Sequence, residues 1–289
     1  MEHIDTFSDY LSFRGMRVHY RISRPAETEI RRRVLLLNAP LSTSFNWRLL
    51  LPELHSLDCL VAQVDLPGYG LSDCGRGVPQ DAATRAQLVW GVLDEIDSSL
   101  SYSSQYWHLI SHGSSCLTTL TMAQQAPDCV ASNVFISPLL HAPIGRFYKH
   151  FPGKRMLDSA AEKWYFESVL KQEGLREQLH AWFGRSVPDH VFTPMRKSLT
   201  RPGMKEQLLR LIHEGFTYDP AIFQSFAPKM AIWGPQDPLF TPADAAEFRR
   251  VAPDVETHVL QTGAHYPQET HSRAVCDYLR GWLRFTDGD

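Results

Sequence analysis

The sequence predicts an α/β fold built on a doubly wound, mostly parallel sheet, and three observations carry that expectation. Short continuous apolar runs alternate with longer helical patterns along the chain, the order that builds βαβ units. The runs are apolar throughout rather than at every second residue, as strands buried on both faces are. Loops rich in glycine, proline and aspartate follow several runs directly.

Taken in order, Tyr10–Phe13, the turn Arg14-Gly15 and Met16–Ile22 read as an antiparallel hairpin. The triplet Arg31-Arg32-Arg33 reads as a solvated loop ahead of the buried strand Val34–Leu37. A helix over Trp47–Leu57 follows, then the buried strand Cys59–Val64 and the loop Asp65–Asp73. A helix over Ala82–Leu100 precedes the strand Tyr106–Ile110. After a small-residue turn, a helix runs from Leu117 toward its stop at Pro127, and Asn133–Ile136 is the next strand. From His141 to Ala227 no buried strand occurs. Helical patterns span Ala160–Gln172, Leu175–Phe183 and Met204–Glu214, among the aromatics Phe147, Tyr148, Phe151, Trp164, Tyr165, Phe166, Trp182 and Phe183. The sheet resumes with Met230–Trp233, followed by helix Pro242–Val251, strand Thr257–Leu260 and helix Ser272–Phe285. The expected organisation is a core over 1–140, a helical lid over 141–227 and the rest of the core over 228–289.

Composition bounds the function. A formal net charge of −3 gives no electrostatic reason to expect a nucleic-acid or membrane partner. No run approaches the roughly 20 apolar residues of a transmembrane helix, and the stretch MEHIDTFSDY lacks a signal-peptide profile. Five cysteines without paired spacing read as reduced thiols of a cytoplasmic protein. The histidines show no H-E-x-x-H or similar spacing, so no metal site is expected; no cofactor is expected either. The expected partner is a small molecule; the oligomeric state is left open.

The stretch Tyr106–Leu120, YWHLISHGSSCLTTL, organises the chain. A strand that turns abruptly into a helix needs small side chains on either side of its apex, where backbone crowds. The segment Ser111-His112-Gly113-Ser114-Ser115-Cys116 resembles the nucleophile elbow of the α/β-hydrolase superfamily. In that alignment Ser111 and Ser115 take the flanking small positions, and the apex, the place of the nucleophile, falls on Gly113. A register shifted by one would offer Ser114 instead, at the expense of placing the His112 ring in the crowded position. Cys116 reads as a small buried residue one turn into the helix, and His112 as packed behind the elbow at the floor of the pocket.

Other loops extend the resemblance over nearly the whole chain outside the lid. Leu35–Pro40 with Trp47 resembles the oxyanion loop, and Asp65-Leu66-Pro67-Gly68-Tyr69-Gly70-Leu71-Ser72-Asp73 resembles the D-x-P-G-x-G-x-S-D loop, a structural turn. Gly234-Pro235-Gln236-Asp237 resembles the loop presenting the acid, and Gly263-Ala264-His265 the loop presenting the histidine. The order elbow, acid, histidine is the family's.

The resemblance implies an α/β-hydrolase fold with a catalytic pair, His265 and Asp237, and Ser114 as an oxyanion donor through its N–H. Asn38, Pro40, His112 and Trp164 are the expected substrate pocket. Two departures bear on chemistry. Gly113 has no side chain to attack with, and Pro40 has no N–H to donate where the oxyanion loop should. The leading expectation is therefore a cofactor-independent enzyme whose His265–Asp237 dyad is a general base without a serine. It would activate water or remove a substrate proton, in lyase, cyclisation or oxygenation chemistry, on a molecule with a sizeable apolar body. Two other readings stand beside it: a catalytically silent ligand-binding receptor or scaffold, and an ordinary serine hydrolase using Ser114 or Ser115.

Overall fold

The alternating buried runs resolve into one eight-stranded sheet in the computed structural model, which describes residues 3–40, 42–75, 77–99, 106–141, 172–214, 216 and 218–288. Its strands are β1 (Ile4–Phe13), β2 (Met16–Pro25), β3 (Arg32–Leu37), β4 (Cys59–Val64), β5 (Trp107–His112), β6 (Val130–Ile136), β7 (Lys229–Trp233) and β8 (Glu256–Val259). They lie in the order β1-β2-β4-β3-β5-β6-β7-β8. The β1–β2 hairpin joins through antiparallel pairing of β2 with β4, and every other neighbouring pair is parallel. This is the α/β-hydrolase arrangement that the sequence leads one to expect.

Helices cover both faces because the strands' alternate residues point to opposite sides. Val34 and Leu36 of β3 pack with Leu54 of α1 (Leu51–Ser56) and with Val275, Leu279 and Leu283 of α9 (Ser272–Asp287). Leu35 and Leu37 pack on the other side with Leu88, Val89 and Val92 of α2 (Ala82–Ser99). α3 (Ser115–Gln125) lies beside α2 and sends Leu117 and Leu120 into the neighbouring apolar cluster. Between β6 and β7 the described chain forms α4 (Gln172–Phe183), α5 (Asp189–Leu199) and α6 (Met204–Glu214). Leu179, Trp182, Phe192, Met195 and Leu208 from these helices join that cluster, as does Phe248 of α7 (Pro242–Val251). A short helix, α8 (Pro267–Thr270), precedes α9.

Three local readings are corrected. Arg32 and Arg33 do not sit in a solvated loop: they open β3 and are buried. Asp287 of α9 pairs with Arg32, and Asp97 of α2 meets Arg33 at 2.7 Å, while the Arg33 guanidinium lies 4.9 Å from the Trp107 ring centroid. Their aliphatic stems cover the sheet end, and helix carboxylates neutralise their tips. The helix expected over Trp47–Leu57 is split into a single 3₁₀ turn, Ser44–Trp47, and α1. Pro52 has no N–H, so it is accepted only in the first turn of a helix. The elbow strand runs on through Ser111 and His112, which pair with Phe135 and Ile136. Ser111 sustains this by bonding Thr119 Oγ1 at 3.0 Å. The expected helix Ala160–Gln172 lies outside the described residues apart from its last, which begins α4.

The D-x-P-G turn has the structural part expected of it. Asp65 accepts the N–H groups of Ser44 and Leu71, and the Asp73 carboxylate accepts that of Arg17. Gly70, at φ +47°, leaves room for the Asp65 carboxylate, which a Cβ there would overlap at 2.0 Å.

Candidate active site

The elbow forms because β5 has to reverse into α3 at its carboxyl end, where sites in open α/β sheets gather. Gly113 makes the reversal at φ +60°, a left-handed conformation that side chains resist. Its N–H bonds the Ile136 carbonyl at 3.0 Å and its carbonyl accepts the Leu139 N–H at 3.2 Å. Ser114 follows in right-handed helical conformation as the N-cap of α3. A Cβ placed on Gly113 would lie 3.7 Å from His265 Nε2, 3.9 Å from Leu139 Cδ1 and 3.0 Å from Ala39 Cβ. The apex glycine thus faces the histidine, with Ala39 crowding the space a side chain would need.

His265 and Asp237 come from two loops that touch backbone to backbone. A Cβ on Gly234 would fall 2.1 Å from the Gly263 carbonyl oxygen, so this approach requires glycine. Gln236 stitches the loops together: its N–H bonds the Gly263 carbonyl at 2.9 Å and its side chain accepts the Gly263 N–H at 2.6 Å. Asp237 is thereby set beside His265, with Oδ2 2.9 Å and Oδ1 3.2 Å from Nδ1. Both side chains are buried. The N–H groups of Leu239 and Phe240 bond Asp237 Oδ1 at 2.8 and 3.0 Å. Burial pushes the Asp237 carboxyl upward, but the His265 imidazole and these donors outweigh it and hold the group below the usual carboxylate range. An ionised carboxylate only accepts, so the imidazole proton sits on Nδ1 and the lone pair on Nε2 faces Gly113.

Behind the dyad lies His112, wholly buried, its ring centroid 4.8 Å from those of both His265 and Tyr266. Its Nε2 donates to the His265 carbonyl at 2.7 Å, and its Nδ1 is buried without a partner. Burial, reinforced by the neighbouring His265, lowers its pKa to about 3 against the opposing hydrogen bond and Asp237. His112 is therefore a neutral support beneath the site.

A profile of the Alpha/beta hydrolase family matches residues 34–278, spanning the elbow and both loops of the dyad. The chain belongs to that family. No curated protein matches it. Among solved structures, a haloalkane dehalogenase loop variant from Bradyrhizobium elkanii is similar at 19% identity and a TM-score of 0.73, with 98% of each chain covered. The protein Cfl2 of Burkholderia cenocepacia is similar at 19% identity and a TM-score of 0.76, over 96% of each chain. A bacterial membrane phospholipase A gives 14% identity and a TM-score of 0.77, over 98% of this chain and 87% of that one. At such identities the α/β-hydrolase likeness is one of fold.

Asn38 is buried beside the elbow, its Nδ2 donating to the Ser42 carbonyl at 3.0 Å and its Oδ1 unpartnered. Pro40 is half-buried in the same loop. Ser114 Oγ is buried without a partner, whereas Ser115 Oγ donates to the Asn38 carbonyl at 2.7 Å, tying α3 to this loop. Cys116 is buried and burial pushes its thiol up to about 12, so it is no thiolate at neutral pH. Trp164 lies outside the described residues. Among the described residues, no cluster of three or more His, Cys, Asp or Glu could hold a metal, and no helix is long and apolar enough to cross a membrane.

Some participants escaped the sequence reading. The backbone N–H of His265 bonds the Trp182 carbonyl at the end of α4 at 2.8 Å, and Tyr266 stacks on Phe183 at 4.4 Å. Glu269, four residues after His265, is buried and receives Arg48 in a two-pronged pair at 2.6 and 2.9 Å, together with Asn46 Nδ2 at 2.9 Å. Asn46 also reaches Met195 Sδ of α5 at 3.7 Å. The Asn46–Arg48 segment and the histidine loop thus meet at one carboxylate, and Asn46 carries the contact on to α5. A glutamate within Pro-Gln-Glu-Thr carries no local signal of such a role; only tertiary contact supplies it.

Proposed function

We propose that this α/β-hydrolase-family chain is a cofactor-independent enzyme in which the His265–Asp237 dyad is a general base with no serine nucleophile. The observation that carries the reading is the line Asp237 Oδ2–His265 Nδ1 at 2.9 Å, with Nε2 facing a glycine where the elbow's attacking group would stand. In the catalytic step, Nε2 takes a proton from a water or from an acidic position on the substrate. Asp237 stabilises the imidazolium, and the proton then returns to the leaving group or product. The Ser114 N–H and the start of α3 face developing negative charge; Pro40 adds no donor. The lid over 141–227 covers a substrate with a sizeable apolar body, and the core consists of 1–140 and 228–289. Water activation and proton abstraction in lyase, cyclisation or oxygenation chemistry all use this one base.

A second reading, a silent ligand-binding receptor, is favoured by Ala39, whose Cβ narrows the space above Gly113 to 3.0 Å from an added Cβ. Turnover of a panel of aryl esters, epoxides and β-hydroxy carbonyl compounds, with calorimetric binding of the same compounds, separates the two. Turnover that His265→Ala abolishes and Asp237→Asn lowers by about 10⁴ supports the base. Binding without turnover in the unmodified protein supports the receptor.

A further inference from the structure

The hairpin holds a second serine–histidine–aspartate line, remote from the elbow. Ser8 on β1 places Oγ 2.9 Å from His19 Nε2 on β2, and His19 Nδ1 lies 2.9 Å from Asp65 Oδ2. His19 and Asp65 are buried, whereas Ser8 is exposed. In the sheet, β4 and β3 stand between β2 and the elbow strand β5, so this arrangement is independent of His265 and of the function proposed for it.

The chemistry of the three groups fixes the direction of the protons. Asp65 accepts the N–H groups of Ser44 at 3.1 Å and Leu71 at 3.0 Å. With the carboxylate as acceptor, His19 Nδ1–H donates to Asp65 Oδ2, which leaves Nε2 to accept from the Ser8 hydroxyl. This is the order in which a histidine lifts a proton from an attacking hydroxyl. The strand register sets Arg21 directly opposite Ser8 on the same sheet face, and Arg21 is exposed. On that face the Arg17 guanidinium lies over the Tyr10 ring at 4.3 Å. Arg21 thus stands across the strand pair from Ser8, where its charge opposes that of an oxyanion.

We propose that Ser8 is an activated nucleophile that takes acyl groups from activated esters, with a preference for anionic donors. In the step, a bond forms between Ser8 Oγ and the donor's carbonyl carbon while the bond to the leaving oxygen breaks. The Ser8 proton passes to His19 Nε2 and from there to solvent or the leaving group. With a fluorophosphonate, the O–P bond forms, fluoride leaves and the proton follows the same route.

The test is fluorophosphonate labelling of the full chain at neutral pH, with peptide mapping of the adduct. The expected result is an adduct on Ser8 that forms at least about 10²-fold faster than on the exposed Ser56, as general-base assistance provides. His19→Gln should remove that advantage. Because His19 also braces the Asp65 turn, Ser8→Ala supplies the companion measurement: it should fold with an unchanged Tm and carry no adduct at position 8. Labelling with 4-nitrophenyl succinate should exceed that with the acetate by about threefold, and Arg21→Gln should erase the difference. No adduct on Ser8, or one forming no faster than on Ser56, overturns the proposal. Equal labelling by succinate and acetate overturns the anion preference.

Discussion

Placing a side chain on Gly113 should destabilise the protein by an amount the geometry sets. Gly113→Ser forces a residue with a Cβ into φ +60° and brings that Cβ to 3.0 Å from Ala39 Cβ. The left-handed conformation alone costs about 1–2 kcal/mol, and with the close contact the total is about 1–3 kcal/mol. Unfolding entropy of about 2.1 cal/mol/K per residue over 289 residues converts this to a fall in Tm of about 2–5 °C. Calorimetry on the double-mutant cycle with Ala39→Gly divides the loss. The contact share should be recovered in the double variant, as a coupling of about 1 kcal/mol, while the backbone share persists. A Gly113→Ser protein with an unchanged or raised Tm would refute both parts of the reasoning.

Two further outcomes follow from the same site. Fluorophosphonate should leave Ser114 and Ser115 unmodified, since neither hydroxyl stands at the apex facing His265; a stoichiometric adduct on either, found by peptide mapping, would contradict the elbow geometry. The second concerns acid stability. The unfolded chain protonates His112 near the ordinary imidazole value of 6.5 while the fold resists until about 3, so stability is lost as pH falls through this window. By pH 5 this amounts to about 2 kcal/mol. Asp237, whose folded pKa is depressed, stays ionised in both states down to the ordinary carboxylate range and adds nothing between pH 7 and 5. Urea midpoints should therefore drop less between pH 7 and 5 in His112→Gln than in the parent, and equal drops would place the acid sensitivity elsewhere.

The sequence disclosed most where one short stretch carried its own cause. Cys59–Val64 reads as a strand because it is apolar throughout and closed by the Asp65 turn, and its bounds are those observed. Pro242–Val251 is similarly self-contained, with proline opening the helix and Thr241 capping it. Met204–Glu214 agrees as well. Boundaries failed where partners far along the chain decide them. Arg32 and Arg33 enter β3 only because Asp287 and Asp97 meet them from helices 255 and 64 residues away. At the site, glycine and aspartate loops marked Gly113, Asp237 and His265, because tight turns demand particular residues. Glu269, Arg48 and the Trp182 carbonyl were invisible, since a buried ion pair and a backbone acceptor leave no local pattern.

The most direct measurement compares kcat/KM of the Ser114→Ala/Ser115→Ala double variant with that of His265→Ala on any substrate the protein turns over. The account predicts that the double serine variant stays within about threefold of the parent and that His265→Ala loses at least about 10². Loss of activity in the serine variant, or persistence in His265→Ala, would contradict a site that works through a histidine base without a serine.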